Sequence, residues 1–266
     1  LNIEYHKWYS ERLNQDMEMK VYGHAGKPVV VFPSQAGRFF DFEDRGMVAA
    51  VAGFIEEGDI TLYTVDSIDS QSWANFSAHP HDRAVRHESY DGYIIHEVMP
   101  FIQNRHPHLK AVTTGVSMGG YHCANFFFRH PDKFDGVISL SGLFSLGYFI
   151  GGYMDNLVYF NSPLDFLPSL SDPWYLDQYR QSQIIICAGQ GAWEDEMRLE
   201  AFQLREILEI KGVPAWVDFW GQDVNHDWPW WLKQLPYFFN QLMPVFQDQV
   251  QSTAKYIENI FDEEEK

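Results

Sequence analysis

Six short apolar runs rich in β-branched residues punctuate this chain, and they constrain its fold more than any other feature. They cover residues 28–34, 60–66, 110–116, 136–141, 183–188 and 215–220. Each has the length of a strand, and their near-continuous apolar character suits strands covered on both faces. Helical stretches stand between them at 43–57, 81–105, 118–130 and 196–211. In 81–105, Ile94, Val98, Phe101 and Ile102 form one stripe; in 196–211, Ala201, Leu204, Ile207 and Leu208 do the same before a stop at Gly212. Strand and helix in alternation imply right-handed crossovers. The expected fold class is therefore α/β, with a mostly parallel central sheet and helices on both faces. Residues 1–22 read as antiparallel strands, because Met17, Met19 and Val21 alternate with polar neighbours.

Two stretches depart from this rhythm. Residues 143–182 are rich in Gly, Phe, Tyr and Pro and show no clear strand, so they are read as an excursion packed over one end of the sheet. From about 244 a helical stripe (Val250, Ala254, Ile257, Phe261) runs into the acidic end 262–266, which is expected to fray. No Ser/Gly-rich or Pro-rich linker interrupts the chain, so the 266 residues are expected to form a single domain, 1–266.

Composition narrows the function. Hydrophobic residues make up 45% and aromatics 17%, which excludes global disorder. A formal net charge of -18 makes nucleic acid and anionic membranes poor partners, since both reward a basic face. No run approaches the roughly 18 apolar residues of a membrane span. Cys123 and Cys187 lie in different apolar stretches and form neither a disulfide framework nor a zinc cluster. They read as buried free thiols, which leans toward a reducing, cytoplasmic location. His79-Pro80-His81 and His106-Pro107-His108 read as surface loops rather than ligand pairs, and no phosphate-binding glycine pattern appears. No metal and no cofactor are expected.

The chemistry concentrates at Gly115-Val116-Ser117-Met118-Gly119-Gly120, which follows a strand run and opens a helical one. That context makes G-x-S-x-G a nucleophile elbow, a turn so tight that the residues two before and two after the serine must be small. The amide of Met118, at the start of the helix, is a candidate oxyanion donor. A serine hydroxyl needs a base. After His130 the sequence holds one histidine, His226, in the loop following the last strand run. The acid should come from the loop after 183–188, which reads Gly189-Gln190-Gly191-Ala192-Trp193-Glu194-Asp195-Glu196. Glu196 is expected to begin the helix, which leaves Glu194, with Asp195 as the alternative. The loop Pro33-Ser34-Gln35-Ala36-Gly37-Arg38 should face the elbow and supply a second oxyanion donor near Gln35. Among the aromatics near predicted strand ends, Trp73, Trp193 and Trp228 are the candidate substrate contacts.

These residues resemble a known family. Gly115–Gly120 with Tyr121-His122-Cys123-Ala124, the run from Arg129 through His130-Pro131-Asp132-Lys133-Phe134 into Asp135-Gly136-Val137, and Gly221 through Trp231 with its His-Asp-Trp at 226–228 are similar to one esterase branch of the α/β hydrolases. That branch holds esterase D (S-formylglutathione hydrolase), feruloyl and acetyl-xylan esterases and mycolyltransferases of the antigen 85 type. The resemblance covers roughly residues 15–243. It implies the α/β-hydrolase fold, a Ser-acid-His triad, hydrolysis of small-molecule carboxylic esters through an acyl-enzyme, and no cofactor. Two departures stand out: the acid loop holds three adjacent carboxylates rather than a single Asp, and the oxyanion loop reads Pro-Ser-Gln-Ala-Gly rather than starting His-Gly. An acyltransferase or thioesterase on the same triad, or a binding module of the same fold, would share most of these features.

Overall fold

A computed structural model describes residues 1–264, with side chains through 260. The acidic end expected to fray, 262–266, lies outside the described side chains, and its last two residues lie outside the described backbone. Among the described residues the strands are β1 (Ile3–Ser10), β2 (Gln15–Tyr22), β3 (Lys27–Phe32), β4 (Ile60–Val65), β5 (Ala111–Val116), β6 (Phe134–Leu140), β7 (Gln183–Ala188) and β8 (Trp216–Phe219). They form one sheet in the order β1-β2-β4-β3-β5-β6-β7-β8. The β1–β2 and β2–β4 pairings are antiparallel, and every pairing from β4 to β8 is parallel. This is the α/β-hydrolase arrangement, with the antiparallel strands at its N-terminal edge.

Alternation along each buried strand explains the continuous apolar runs. Val30, Phe32, Ile184 and Ile186 face one core, where the helices Pro80–Tyr93, Met118–Arg129 and Asp195–Ile210 pack. Val29, Val31, Ile185 and Cys187 face the other, against Phe42, Val48 and Ile55 and the long helix Trp228–Glu264. Both thiols are free and buried.

Helix boundaries depart from expectation in three places. The single helix expected at 43–57 is three short ones, Asp41–Asp44, Met47–Ala50 and Ala52–Glu56, with Gly46 at φ 81° between the first two. The helix expected at 81–105 runs from Pro80 to Arg105 but widens into a π-turn at Ile94–Val98, just before Pro100. A proline there has no N–H for the preceding turn and crowds its carbonyl, and a wider turn relieves both. The C-terminal helix begins at Trp228, well before 244, and continues through Pro236 and Pro244. The excursion 143–182 holds only short helices, from Gly147–Ile150 to Pro173–Arg180.

Candidate active site

β5 delivers Ser117 to the C-terminal edge of the sheet. The Ser117 amide still donates to the Leu140 carbonyl at 2.9 Å, so the β5–β6 ladder holds it up to the turn. Its backbone then sits at φ 56°, ψ −118°, a conformation that side chains rarely adopt, as the cap of Met118–Arg129. The flanking glycines are required by contact. A Cβ on Gly115 would lie 2.3 Å from the Gly119 oxygen, and one on Gly119 would lie 2.3 Å from the Phe32 oxygen. Both obstacles are backbone and cannot yield. The first helical amides, including that of Met118, precede the first i→i−4 bond and point toward the turn.

His226 Nε2 lies 2.9 Å from Ser117 Oγ, and His226 Nδ1 lies 3.2 Å from Glu194 Oε1. Glu194 is fully buried, and its other oxygen accepts from the Gly189 amide at 3.2 Å. The Ser141 hydroxyl donates to Glu194 Oε1 at 2.5 Å and accepts from the Trp231 indole at 2.9 Å. The Trp231 ring also meets His226 edge-on at 4.9 Å. Two loops are zipped together to hold this chain. The Gly191 amide bonds the Val224 oxygen and the His226 amide bonds the Ala192 oxygen, each at 2.9 Å, while the Ala192 amide bonds Asn225 Oδ1 at 2.8 Å. A Cβ on Gly189 would lie 2.2 Å from the Val224 oxygen, so this approach also depends on glycine.

The three carboxylates of the acid loop go different ways. Glu194 stands at the N-cap position of the helix, but its side chain makes no capping bond and turns inward. Asp195 begins the helix, one residue earlier than expected, and points to solvent with its carboxylate 88% exposed beside Arg198. Glu196 is exposed in the first helical turn. Asp195 is therefore not at His226.

The loop after β3 is a tight turn. The Gly37 amide bonds the Ser34 oxygen at 2.8 Å, Ala36 sits at φ 60°, and Asp41 Oδ2 accepts from the Ser34 amide at 2.9 Å and its hydroxyl at 2.8 Å. Arg38 ties the loop to Asp66 at 2.7 Å and to Glu18 at 2.5 Å. Gln35 thereby comes to line the same cavity as Ser117, Met118 and His226.

That cavity holds about 550 Å³. The excursion supplies its far wall with Leu143, Tyr148 and Phe149, and Met197 joins them from the helix after the acid loop. Glu200, on that helix, is largely buried and accepts from the amides of Phe144 and Ser145 and from the Ser145 hydroxyl. Burial raises its pKa above the usual carboxylate range despite these donors.

The expected substrate contacts divide. Trp193 lines the cavity, 86% exposed at φ 66°. Trp73 does not: it is fully buried in a cluster with Met118 and Tyr121, with its ring 5.0 Å from His87. Trp228 does not either, because it packs on Phe42 at 5.9 Å and under Arg45 at 5.6 Å, on the opposite core. A large apolar side chain after a predicted strand is as readily drawn into a core as left at a loop surface. Sequence reasoning also missed Ser141, Trp231, Asp41 and Glu200. Only Ser141 had a positional signal, because it directly follows β6, the strand next to the one that leads to Ser117. Among the described residues no three His, Cys, Asp or Glu side chains are placed to hold a metal ion, and no helix is long and apolar enough to cross a membrane.

Comparison with known proteins agrees with this architecture. A ferulic acid esterase superposes with a TM-score of 0.71 at 18% identity, over 92% of this chain and 98% of its own. An S-formylglutathione hydrolase from Staphylococcus aureus gives 0.63 at 14% identity, over 94% and 97%. MPT51 of Mycobacterium tuberculosis gives 0.61 at 17% identity, over 94% and 98%. Among curated proteins none matches the sequence. The family described as "Putative esterase" matches residues 10–242, most of the chain. The chain belongs to that family of esterases, and its fold is that of the α/β hydrolases.

Proposed function

We propose that the protein is a serine carboxylesterase working through a triad of Ser117, His226 and Glu194. The observation that carries this reading is the unbroken hydrogen-bonded chain from Ser117 Oγ through both nitrogens of His226 to a buried carboxylate. His226 Nε2 takes the Ser117 proton as Oγ attacks the ester carbonyl. The oxyanion that forms is held by the amides of Met118 and Gln35. Collapse expels the alcohol, which leaves with the proton from His226, and Ser117 is acylated. Water, deprotonated by His226, then attacks the acyl-enzyme and releases the acid. Glu194 holds the imidazole in the tautomer with Nδ1–H and stabilises its cation. Ser141 and Trp231 hold the carboxylate in place. The whole of 1–266 acts as one catalytic domain on a small-molecule ester, a reading supported by the single sheet and the breadth of the family match.

The test is turnover of p-nitrophenyl esters by the wild type beside Ser117→Ala. The expected outcome is hydrolysis by the wild type, a loss on the order of 10⁴- to 10⁶-fold in a variant that keeps its fold, and covalent labelling of Ser117 by a fluorophosphonate. A folded wild type that neither hydrolyses these esters nor takes the label would leave a binding module as the better account.

A further inference from the structure

The cavity around Ser117 carries charge of one sign only. Its far wall is apolar, from Leu143, Tyr148, Phe149 and Met197, and its rim carries Asp195 and Glu196. Among the described residues no lysine or arginine lines it. Asp195 has one ion-pair partner, Arg198 at 3.3 Å, which stands outside the cavity and is itself 46% exposed. Glu196 has no ion-pair partner among the described residues, and the chain as a whole carries a net charge of -18.

Resting on the esterase reading above, we infer that the site selects esters whose buried part is neutral or cationic and turns away esters that carry a carboxylate. An anionic group entering this cavity gives up water and meets no cation to replace it. It also approaches two rim carboxylates. Through water, an unpaired charge such as Glu196 at a separation of about 7 Å disfavours a second anion by about threefold, and Asp195, partly offset by Arg198, raises that to about three- to tenfold. A trimethylammonium end would instead be drawn to the rim and could rest on the exposed face of Trp193. Asp195 and Glu196 are then specificity residues, although neither reaches His226.

The experiment uses the whole chain, 1–266, and three matched esters: phenyl hexanoate, phenyl hydrogen adipate and phenyl 6-(trimethylammonio)hexanoate. They share leaving group and chain length and differ in charge at the acyl end. The expected result is a kcat/KM for the adipate at least tenfold below that for the hexanoate, with the cationic ester equal to the hexanoate or better. Added salt at about 0.5 M should narrow the gap, because the rim is open to solvent. In the double variant Asp195→Asn, Glu196→Gln, the adipate-to-hexanoate ratio should rise about three- to tenfold. A ratio that the double variant leaves unmoved would assign the discrimination to the apolar wall alone and overturn the inference. Equal turnover of adipate and hexanoate by the wild type would overturn it too, while leaving the esterase reading intact. Turnover of none of the three would remove the esterase reading itself.

Discussion

Two walls meet at Ser117, and different physics builds each. The wall that carries Ser117 and His226 consists of the elbow and the paired loops 189–194 and 221–226, and it is backbone against backbone. Gly115, Gly119 and Gly189 sit where any side chain would meet a carbonyl oxygen within 2.4 Å. The far wall, supplied by the excursion, is side chain against side chain. Leu143, Tyr148 and Phe149 face the cavity, and Glu200 holds the adjoining amides. Where backbones touch, one residue type fits and the requirement is written into the sequence. Where side chains touch, many combinations fill the same space, and the sequence carries no distinctive mark.

The sharpest way to break this contrast is one methyl group on each side. Gly119→Ala sets a Cβ against the Phe32 oxygen at 2.3 Å, and the elbow cannot move without parting the helix from β3. It should abolish turnover and lower the melting temperature markedly, as read by circular dichroism. Leu143→Ala, in the far wall, should cost at most about tenfold in kcat/KM for a six-carbon ester, consistent with the loss of one apolar contact.

Next in size is the choice of acid. Glu194→Gln should lower kcat roughly 10³- to 10⁴-fold with little change in KM, because the imidazole loses its orienting carboxylate. Asp195→Asn should cost no more than about threefold on a neutral ester, since its carboxylate faces solvent. The reverse order of effects would reassign the acid.

A smaller effect is expected at Glu200. Glu200→Ala strands the amides of Phe144 and Ser145 and should destabilise the fold by about 2–4 kcal/mol in urea titrations. If the far wall sets acyl preference, the same variant should raise KM for a hexanoate ester more than for an acetate.

The smallest effect lies away from both walls. Burial holds His106 at a pKa of about 4, against an ordinary 6.5, with its Nε2 2.8 Å from the Tyr63 hydroxyl. The folded state thus favours the neutral ring. That contribution to stability is complete above the ordinary value of 6.5 and is lost as pH falls through about 4. His106→Gln should flatten the pH dependence of stability between those values, with kcat at pH 8 close to the wild type.

The strands were legible to within about two residues at nearly every boundary, because burial on both faces leaves an apolar run that little else produces. The elbow was legible for the same kind of reason, since strand, glycines, serine and helix leave no other local geometry. His226 was legible by position, as the one histidine beyond His130. The carboxylate that meets His226 was narrowed only to neighbours, because Glu194 and Asp195 differ in where the helix begins, and a one-residue shift there decides which side chain turns inward. Trp73 and Trp228 were misplaced because composition says that an aromatic will be buried but not in which core.

From its residues alone, then, this protein had its sheet, its serine elbow and the histidine that meets it, since each depends on local sterics, on a periodic pattern that neighbouring residues enforce, or on position in the chain. The identity of the carboxylate at His226, the supporting roles of Ser141, Trp231 and Glu200, and the shape and charge of the cavity depended on which distant segments fold against one another. Ser141 and Glu194 are 53 residues apart, and Trp231 and Ser141 are 90. Contacts at that range leave no local pattern, because the same side chains would be equally at home in many other packings.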